Sequence, residues 1–241
     1  MSERKNNVVR NLPDADATAA MGHAIAAVLR AGDVVLLEGT LGAGKTTITR
    51  AIASAMGVRD GLVSSPTFVF VNVYPVEGER GGERAAHAIA RLVHVDAYRL
   101  TSAEDLEPLG WDRLFDPMTK MAASDAVAMV EWPGRIADSL PEPSRCLRVL
   151  WEHTQDGRRM TVQVPDAWWE RGERDEGYGR KLAWFTEREP TKCRVTGRWV
   201  SPTSDTYPFI DSRAQNADLF KWFSGQHSTN RPIEPEDHEE L

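Results

Sequence analysis

Leu37-Glu-Gly-Thr-Leu-Gly-Ala-Gly-Lys-Thr-Thr47 contains, from Gly39 to Thr46, a complete G-x-x-x-x-G-K-[ST] pattern. The chemistry of a polyphosphate explains the spacing. Its oxygens need backbone N–H groups turned inward on a tight loop, and only small residues let the chain approach that closely. A helix opening at Lys45 adds unpaired N–H groups and the positive end of its dipole. Lys45 then reaches the β- and γ-phosphates as a point charge, and the Thr46 hydroxyl serves as a Mg²⁺ ligand. The flanks agree with this reading. Asp33-Val-Val-Leu-Leu-Glu38 is a short apolar run that reads as a buried strand, and Lys45 to about Met56, closed by Gly57, reads as a helix. The competing reading is a glycine-rich turn with a solvated lysine. The strand before and the helix after favour the phosphate loop.

Outward from the loop, elements alternate. Asp16 to Arg30 is an amphipathic stretch with Asp14 and Asp16 as caps and Gly32 after its end. Phe68 to Tyr74, Leu92 to Asp96 and Ala126 to Glu131 read as strands, and Ala103 to Phe115 as a helix capped by Ser102. Leu147 to Trp151, the turn Gln155-Asp-Gly157 and Met160 to Val164 predict an antiparallel hairpin. The implied fold is α/β: a P-loop NTPase three-layer sandwich with a mostly parallel sheet and a C-terminal antiparallel hairpin. Val76 to Arg91, rich in Gly, Glu and Arg, reads as a surface insertion.

The pattern changes after Pro165, which divides the chain into residues 1–165 and 166–241. The second part holds eleven of the nineteen aromatics, too many for an ordinary disordered tail. It is expected to lay aromatics on the core as a partly ordered extension, or else to dock a partner. A chain ending at Pro165 is expected to remain a folded unit.

Composition narrows the function. Of 241 residues, 41% are hydrophobic, enough for a packed core, and 29 Lys and Arg against 36 Asp and Glu leave a net charge of −7. A free-standing nucleic-acid binder normally carries the opposite balance. Two cysteines 47 positions apart form no zinc pattern, and no apolar run is long enough to span a membrane. These features suit a cytoplasmic protein without membrane contact. Guanine specificity usually shows as Asn/Thr-Lys-x-Asp; Thr119-Lys-Met-Ala122 and Thr191-Lys-Cys-Arg194 both lack the Asp, which leaves ATP as the expected nucleotide.

Asp96 and Glu131 each close a short apolar run, where open α/β sheets hold their ligands. One is suited to Mg²⁺ and the other to orienting the attacking water, with capping of the next turn as the alternative role. Ser64-Ser-Pro-Thr67 contains hydroxyls that either form a turn or sense a γ-phosphate. His94 is expected on the face of its strand opposite the carboxylate, as a packed or edge histidine and not a ligand.

Together with the loop, Ser65-Pro-Thr-Phe68, His94-Val-Asp-Ala-Tyr-Arg-Leu100 and Val130-Glu-Trp-Pro133 occur in an order that resembles the bacterial TsaE (YjeE) family of tRNA threonylcarbamoyladenosine biosynthesis ATPases. The resemblance spans roughly residues 10–165. It implies ATP hydrolysis with Mg²⁺ in making N6-threonylcarbamoyladenosine at position 37 of tRNAs that read codons beginning with A. It also implies a two-subunit threonylcarbamoyltransferase complex as partner, reset by hydrolysis between turnovers, and tRNA contact only through that complex. By position, Gly39, Leu41, Gly42, Ala43, Gly44, Lys45, Thr46 and Thr47 would bind phosphates, and Thr46 with Glu131 would hold Mg²⁺. Asp96 would be the second catalytic carboxylate beside Lys45 and Glu131. Ser65 and Thr67 would lie in a switch-like loop, Trp132 near the nucleotide and Thr18 near the adenine. Thr40 departs from an Asp usual in the loop, and Gly134 from a polar residue after Glu-Trp-Pro. A small-molecule P-loop kinase and a nucleotide-gated docking module are the alternative functions; a kinase lid drawn from Arg80, Arg84 and Arg91 would carry acidic residues among its cations.

Overall fold

β2 (Val34–Gly39) lies between two parallel neighbours, β5 (Ala126–Glu131) and β6 (Leu147–Thr154), and β4 (Arg91–Asp96) runs parallel to β5 on its far side. In this computed structural model, residues 5–59, 61–63, 70–77, 89–100, 103–116 and 118–223 are described. Strands buried on both faces read as continuous apolar runs. Accordingly every residue of β5 is buried, as are the first four of β2 and the last five of β4. Antiparallel strands close both ends: β3 (Val71–Pro75) on β4, and β7 (Gly157–Gln163) with β1 (Asn7–Leu12) beyond β6. The result is a seven-stranded mixed sheet in the order β1-β7-β6-β2-β5-β4-β3, its four central strands parallel. The predicted hairpin is the β6–β7 pair.

One face is covered by α1 (Ala15–Val28) and α2 (Lys45–Ala55). Asp14 caps α1 by accepting from the Ala17 N–H at 2.7 Å. The two helices pack closely at Gly22, where a Cβ would stand 2.4 Å from the Ala51 Cβ. The other face is covered by irregular chain with short 3₁₀ turns, burying Leu106, Phe115, Ile136 and Leu140 on Val93, Val95, Ala128 and Val130. The helix predicted over Ala103 to Phe115 is instead a 3₁₀ segment, Ala103–Leu109, and a single turn, α3 (Trp111–Leu114). Pro108 lacks the N–H that an α-helix needs, and Gly110 turns left-handed at φ +68° between the two pieces. β1 lacks a sequence-level counterpart because its residue types do not alternate with its burial: Val9 faces outward and Arg10 inward. Residues 78–88 of the expected insertion lie outside the described residues.

Beyond Pro165 the chain forms α4 (Asp166–Arg174), α5 (Glu176–Glu187), a two-residue ladder of β8 (Thr191–Lys192) with β9 (Trp199–Val200), and α6 (Ser212–Phe223). α4 and α5 pass at Gly172 and Gly179, where a Cβ on Gly179 would stand 2.7 Å from the Gly172 carbonyl oxygen. α5 packs on α1, and Trp168, Tyr178, Leu182 and Phe185 lie in one buried cluster with Met21, Ile25 and Leu29. Arg171 donates two hydrogen bonds to buried Asp33, at 2.9 and 3.1 Å, just before β2. A smaller cluster of Cys193, Val200 and Ala214 is separate. Among the described residues, no helix is long and apolar enough to cross a membrane.

Two consequences follow from this packing. Gly22→Ala gains roughly 1 kcal/mol of helix propensity, but forces a methyl against Ala51 at a typical overpacking cost of about 1–3 kcal/mol. A lower urea midpoint is therefore expected; an unchanged or higher one would contradict the close helix contact. Trp168→Ala should cost about 3–5 kcal/mol, and a chain cut after Pro165 should unfold at lower urea than the full chain. Equal midpoints would mean that the α4–α5 hairpin adds nothing to the core.

Candidate active site

The carboxyl ends of β2, β4 and β5 meet at one edge of the sheet, and register fixes what they present there. Leu37 pairs with Glu131 across β2 and β5, and Asp96 pairs with Glu131 across β4 and β5. From Gly39 the chain turns through a tight loop into α2. Gly39 and Gly42 have φ of +146° and +76°, and Gly44, the N-cap of α2, has φ +119°, conformations that favour glycine. Gly39 is also sterically fixed, since a Cβ there would stand 2.8 Å from the Trp151 Cβ.

Around the loop lies a cavity of about 390 Å³. Leu41, Gly42, Ala43, Gly44, Lys45, Thr46 and Thr47 line one side, and Asp96, Tyr98, Arg99, Glu131 and Trp132 the other. Lys45 is nearly buried, and its Nζ donates to the carbonyls of Gly39 and Thr40, each at 2.9 Å. The ammonium also lies 4.1 Å from the centre of the Trp132 ring. Burial lowers the Lys45 pKa below the ordinary lysine value, against the opposing pull of the Glu131 and Asp96 carboxylates. Trp132 itself is left-handed at φ +58°, a conformation that costs a non-glycine residue about 1–3 kcal/mol and clusters at functional sites. Its ring rests 5.0 Å from that of Tyr98, tilted by 52°.

The two carboxylates differ in their partners. Glu131 Oε1 accepts from the Thr46 hydroxyl at 2.9 Å and lies 3.0 Å from His94 Nε2. Asp96 accepts at Oδ1 from the Tyr98 N–H at 3.1 Å. His94 therefore does not face away from the carboxylates. It stands two residues from Asp96, so strand alternation puts both on one face, and the parallel register brings Glu131 onto that face too.

These donors suit a nucleotide with Mg²⁺. Mg²⁺ prefers hard oxygen ligands and is usually held by one or two carboxylates with substrate phosphates. Thr46 and Glu131 supply a hydroxyl and a carboxylate within hydrogen-bond reach of each other. Among the described residues, no group of three or more His, Cys, Asp or Glu forms a separate metal cage. The N–H groups that open α2 and the Lys45 ammonium supply the positive field that phosphates need.

Not every expected residue lies at this cavity. Gly39 lines an adjoining hollow beside Thr40, Trp132 and Gly134. Thr18 is buried within α1, donates its hydroxyl to the Asp14 carbonyl at 3.0 Å, and does not line the cavity. Ser65 and Thr67 lie outside the described residues. Two residues beyond the sequence-based set line the cavity, and a third approaches the loop. Tyr98 and Arg99 line the cavity, and their signal was available, because they directly follow the strand end at Asp96. Arg158 on β7 brings its Nη1 to within 3.4 Å of where a Gly44 Cβ would stand. Only the hairpin's fold against β6 carries it to the loop, so nothing local in the sequence marks it.

The family model for "Threonylcarbamoyl adenosine biosynthesis protein TsaE" matches residues 12–161. The chain belongs to the TsaE family. A Streptomyces coelicolor relative, named tRNA threonylcarbamoyladenosine biosynthesis protein TsaE, is 42% identical over 145 residues, covering 59% of this chain and 86% of its own. A Mycobacterium leprae relative of the same name is 42% identical over 146 residues, covering 61% and 84% respectively. The crystal structure of Bacillus subtilis YdiB is 25% identical and superposes with a TM-score of 0.48 over 76% of this chain and 97% of that one. In this TsaE-family chain the family match ends before α4.

Gly39→Ala is expected to destabilise the loop, because neither the Trp151 Cβ nor its carbonyl oxygen, 3.0 Å from the new methyl, can move without shifting β6. A drop in thermal midpoint together with weaker nucleotide binding is the expected result. Wild-type values for both would contradict the close approach.

Proposed function

We propose that this chain is a Mg²⁺-dependent P-loop ATPase that supports N6-threonylcarbamoyladenosine formation at position 37 of tRNAs reading A-starting codons. The observation that carries the ATPase reading is the convergence of a Gly39–Thr46 phosphate loop, Thr46 hydrogen-bonded to Glu131, and Asp96 beside Glu131 on one strand edge. The tRNA reading is supported by family membership and by the names of the relatives.

In this proposal the loop N–H groups and Lys45 grip the β- and γ-phosphates. To do so Lys45 exchanges its two carbonyl acceptors for phosphate oxygens. When bound, Mg²⁺ neutralises charge that develops between the β- and γ-phosphates. Thr46 and Glu131 hold that cation, and Asp96 orients the water that attacks the γ-phosphorus. Trp132, stacked over Lys45 and braced by Tyr98, closes one wall against solvent.

Hydrolysis is proposed to drive turnover of a two-subunit threonylcarbamoyltransferase complex, which supplies the grip on tRNA. The −7 charge supports that division, since phosphate-backbone binding calls for a basic surface. Residues 166–241, with 11 Lys and Arg against 15 Asp and Glu, add no basic patch by composition. We place the protein in the cytoplasm. Both cysteines are free and buried, which suits a reducing compartment.

Phosphate release from ATP measured without any acceptor tests the reading. Lys45→Ala and Glu131→Ala should each abolish it, while Asp96→Asn should lower the rate more than the nucleotide affinity. Retained turnover in both the Lys45 and Glu131 variants would overturn the site assignment. Dependence of wild-type turnover on an added small-molecule acceptor would favour a kinase.

A further inference from the structure

His94 is fully buried; among the described residues its side chain makes one hydrogen bond, Nε2 to Glu131 Oε1 at 3.0 Å, and its buried Nδ1 has no hydrogen-bond partner. A packed core would be served better by an apolar side chain of similar size, which strands no polar atom. The one bond that His94 makes therefore accounts for its presence. A carboxylate accepts and does not donate, so Nε2 carries the proton.

Thr46 and His94 both act on the same oxygen of Glu131, but they come from different elements. Thr46 belongs to the first turn of α2 and takes part in cation binding in the function proposed above. His94 is anchored in β4, whose backbone is laddered to β5 on one side and β3 on the other. Its hold on Glu131 is thus independent of what the loop binds. We propose that His94 is a positioning residue for the cation site: its Nε2–H holds Glu131 Oε1 in place, so that the carboxylate meets Mg²⁺ already oriented. Groups behind a metal ligand commonly fix its orientation in this way, and their loss costs roughly 10- to 100-fold in metal affinity.

The inference rests on the reading of Thr46 and Glu131 as the cation site, and the experiment separates the two. The full chain is titrated with Mg²⁺ while binding of a fluorescent ATP analogue is followed, for wild type, His94→Leu, His94→Gln and Glu131→Gln. Binding in EDTA and thermal melting are measured alongside. His94→Leu should raise the Mg²⁺ midpoint about tenfold and leave binding in EDTA unchanged. His94→Gln, which keeps an N–H donor, should recover much of the loss. An unchanged midpoint in His94→Leu, with Glu131→Gln shifted, would overturn the role of His94 alone. Equal loss in both His94 variants with wild-type melting would also overturn it. No shift in Glu131→Gln would remove the cation site itself and this inference with it. Should His94→Leu fail to fold, ¹⁵N NMR of the wild-type histidine decides. The Nε2–H tautomer, with a resonance that moves on adding Mg²⁺ and nucleotide, is expected; the Nδ1–H tautomer would refute the proposal.

Discussion

A carboxylate at the end of a strand buried on both faces has to be met by hydrogen-bond donors, and Glu131 is that carboxylate. It is 3% exposed on β5, where all six residues are buried. An ionised group taken out of water is stable only when paired and hydrogen-bonded. Glu131 obtains its partners from both sides, the Thr46 hydroxyl from the loop helix and His94 from β4. That requirement ties α2, β4 and β5 to one point. The parallel register then sets Asp96 beside Glu131, and the short loop from β2 leaves Lys45 no distant course. The geometry of the glycine-rich loop is thus inseparable from the core beneath it.

The residues after Pro165 strengthen the same frame at places well apart in sequence. Arg10 on β1 donates to the carbonyls of Thr186 and Arg188 at 2.9 and 2.8 Å, satisfying groups that the end of α5 leaves open. Arg171 reaches Asp33 where the chain enters β2, and Trp199 Nε1 donates to Asp14 Oδ2 at 3.1 Å, at the N-cap of α1. These contacts join α4, α5 and β9 to the first strand, the first helix and the strand that feeds the phosphate loop. The family match ends before α4, and α4 and α5 beyond it are built into the core. The aromatics of the extension divide accordingly: Trp168, Tyr178 and Phe185 are buried, whereas Phe220 and Phe223 on α6 are largely exposed.

Much of the central layer was legible because its signals are local. β2, β4, β5 and the start of α2 stand within a residue or so of where apolar runs, glycines and the Lys-Thr pair put them. The failures have local causes as well. With Val9 outward and Arg10 inward, the residues of β1 do not alternate by type and read as a polar lead-in. A helix read from Ala103 to Phe115 needs Pro108 and Gly110 to behave as ordinary residues, which neither does. His94 lies on the carboxylate face and not the opposite one, as its two-residue offset from Asp96 requires. Arg158 offered no such clue, because its proximity to Gly44 arises from sheet pairing alone.

Sequence by itself determined a glycine-rich G-x-x-x-x-G-K-[ST] loop between strand and helix, two acidic residues at strand ends, and an acidic net charge. Those properties reside in residue type, short spacing and summed charge, which no folding step changes. Tertiary structure decided which groups act together. Only the parallel register of β4 on β5 sets Asp96, His94 and Glu131 on one face, and only the β6–β7 pairing brings Arg158 to the loop. The packing of α5 on α1 likewise decided that part of the extension belongs to the core. Contacts between distant segments depend on register and on shared buried surface, and neither is written in any one stretch of the chain.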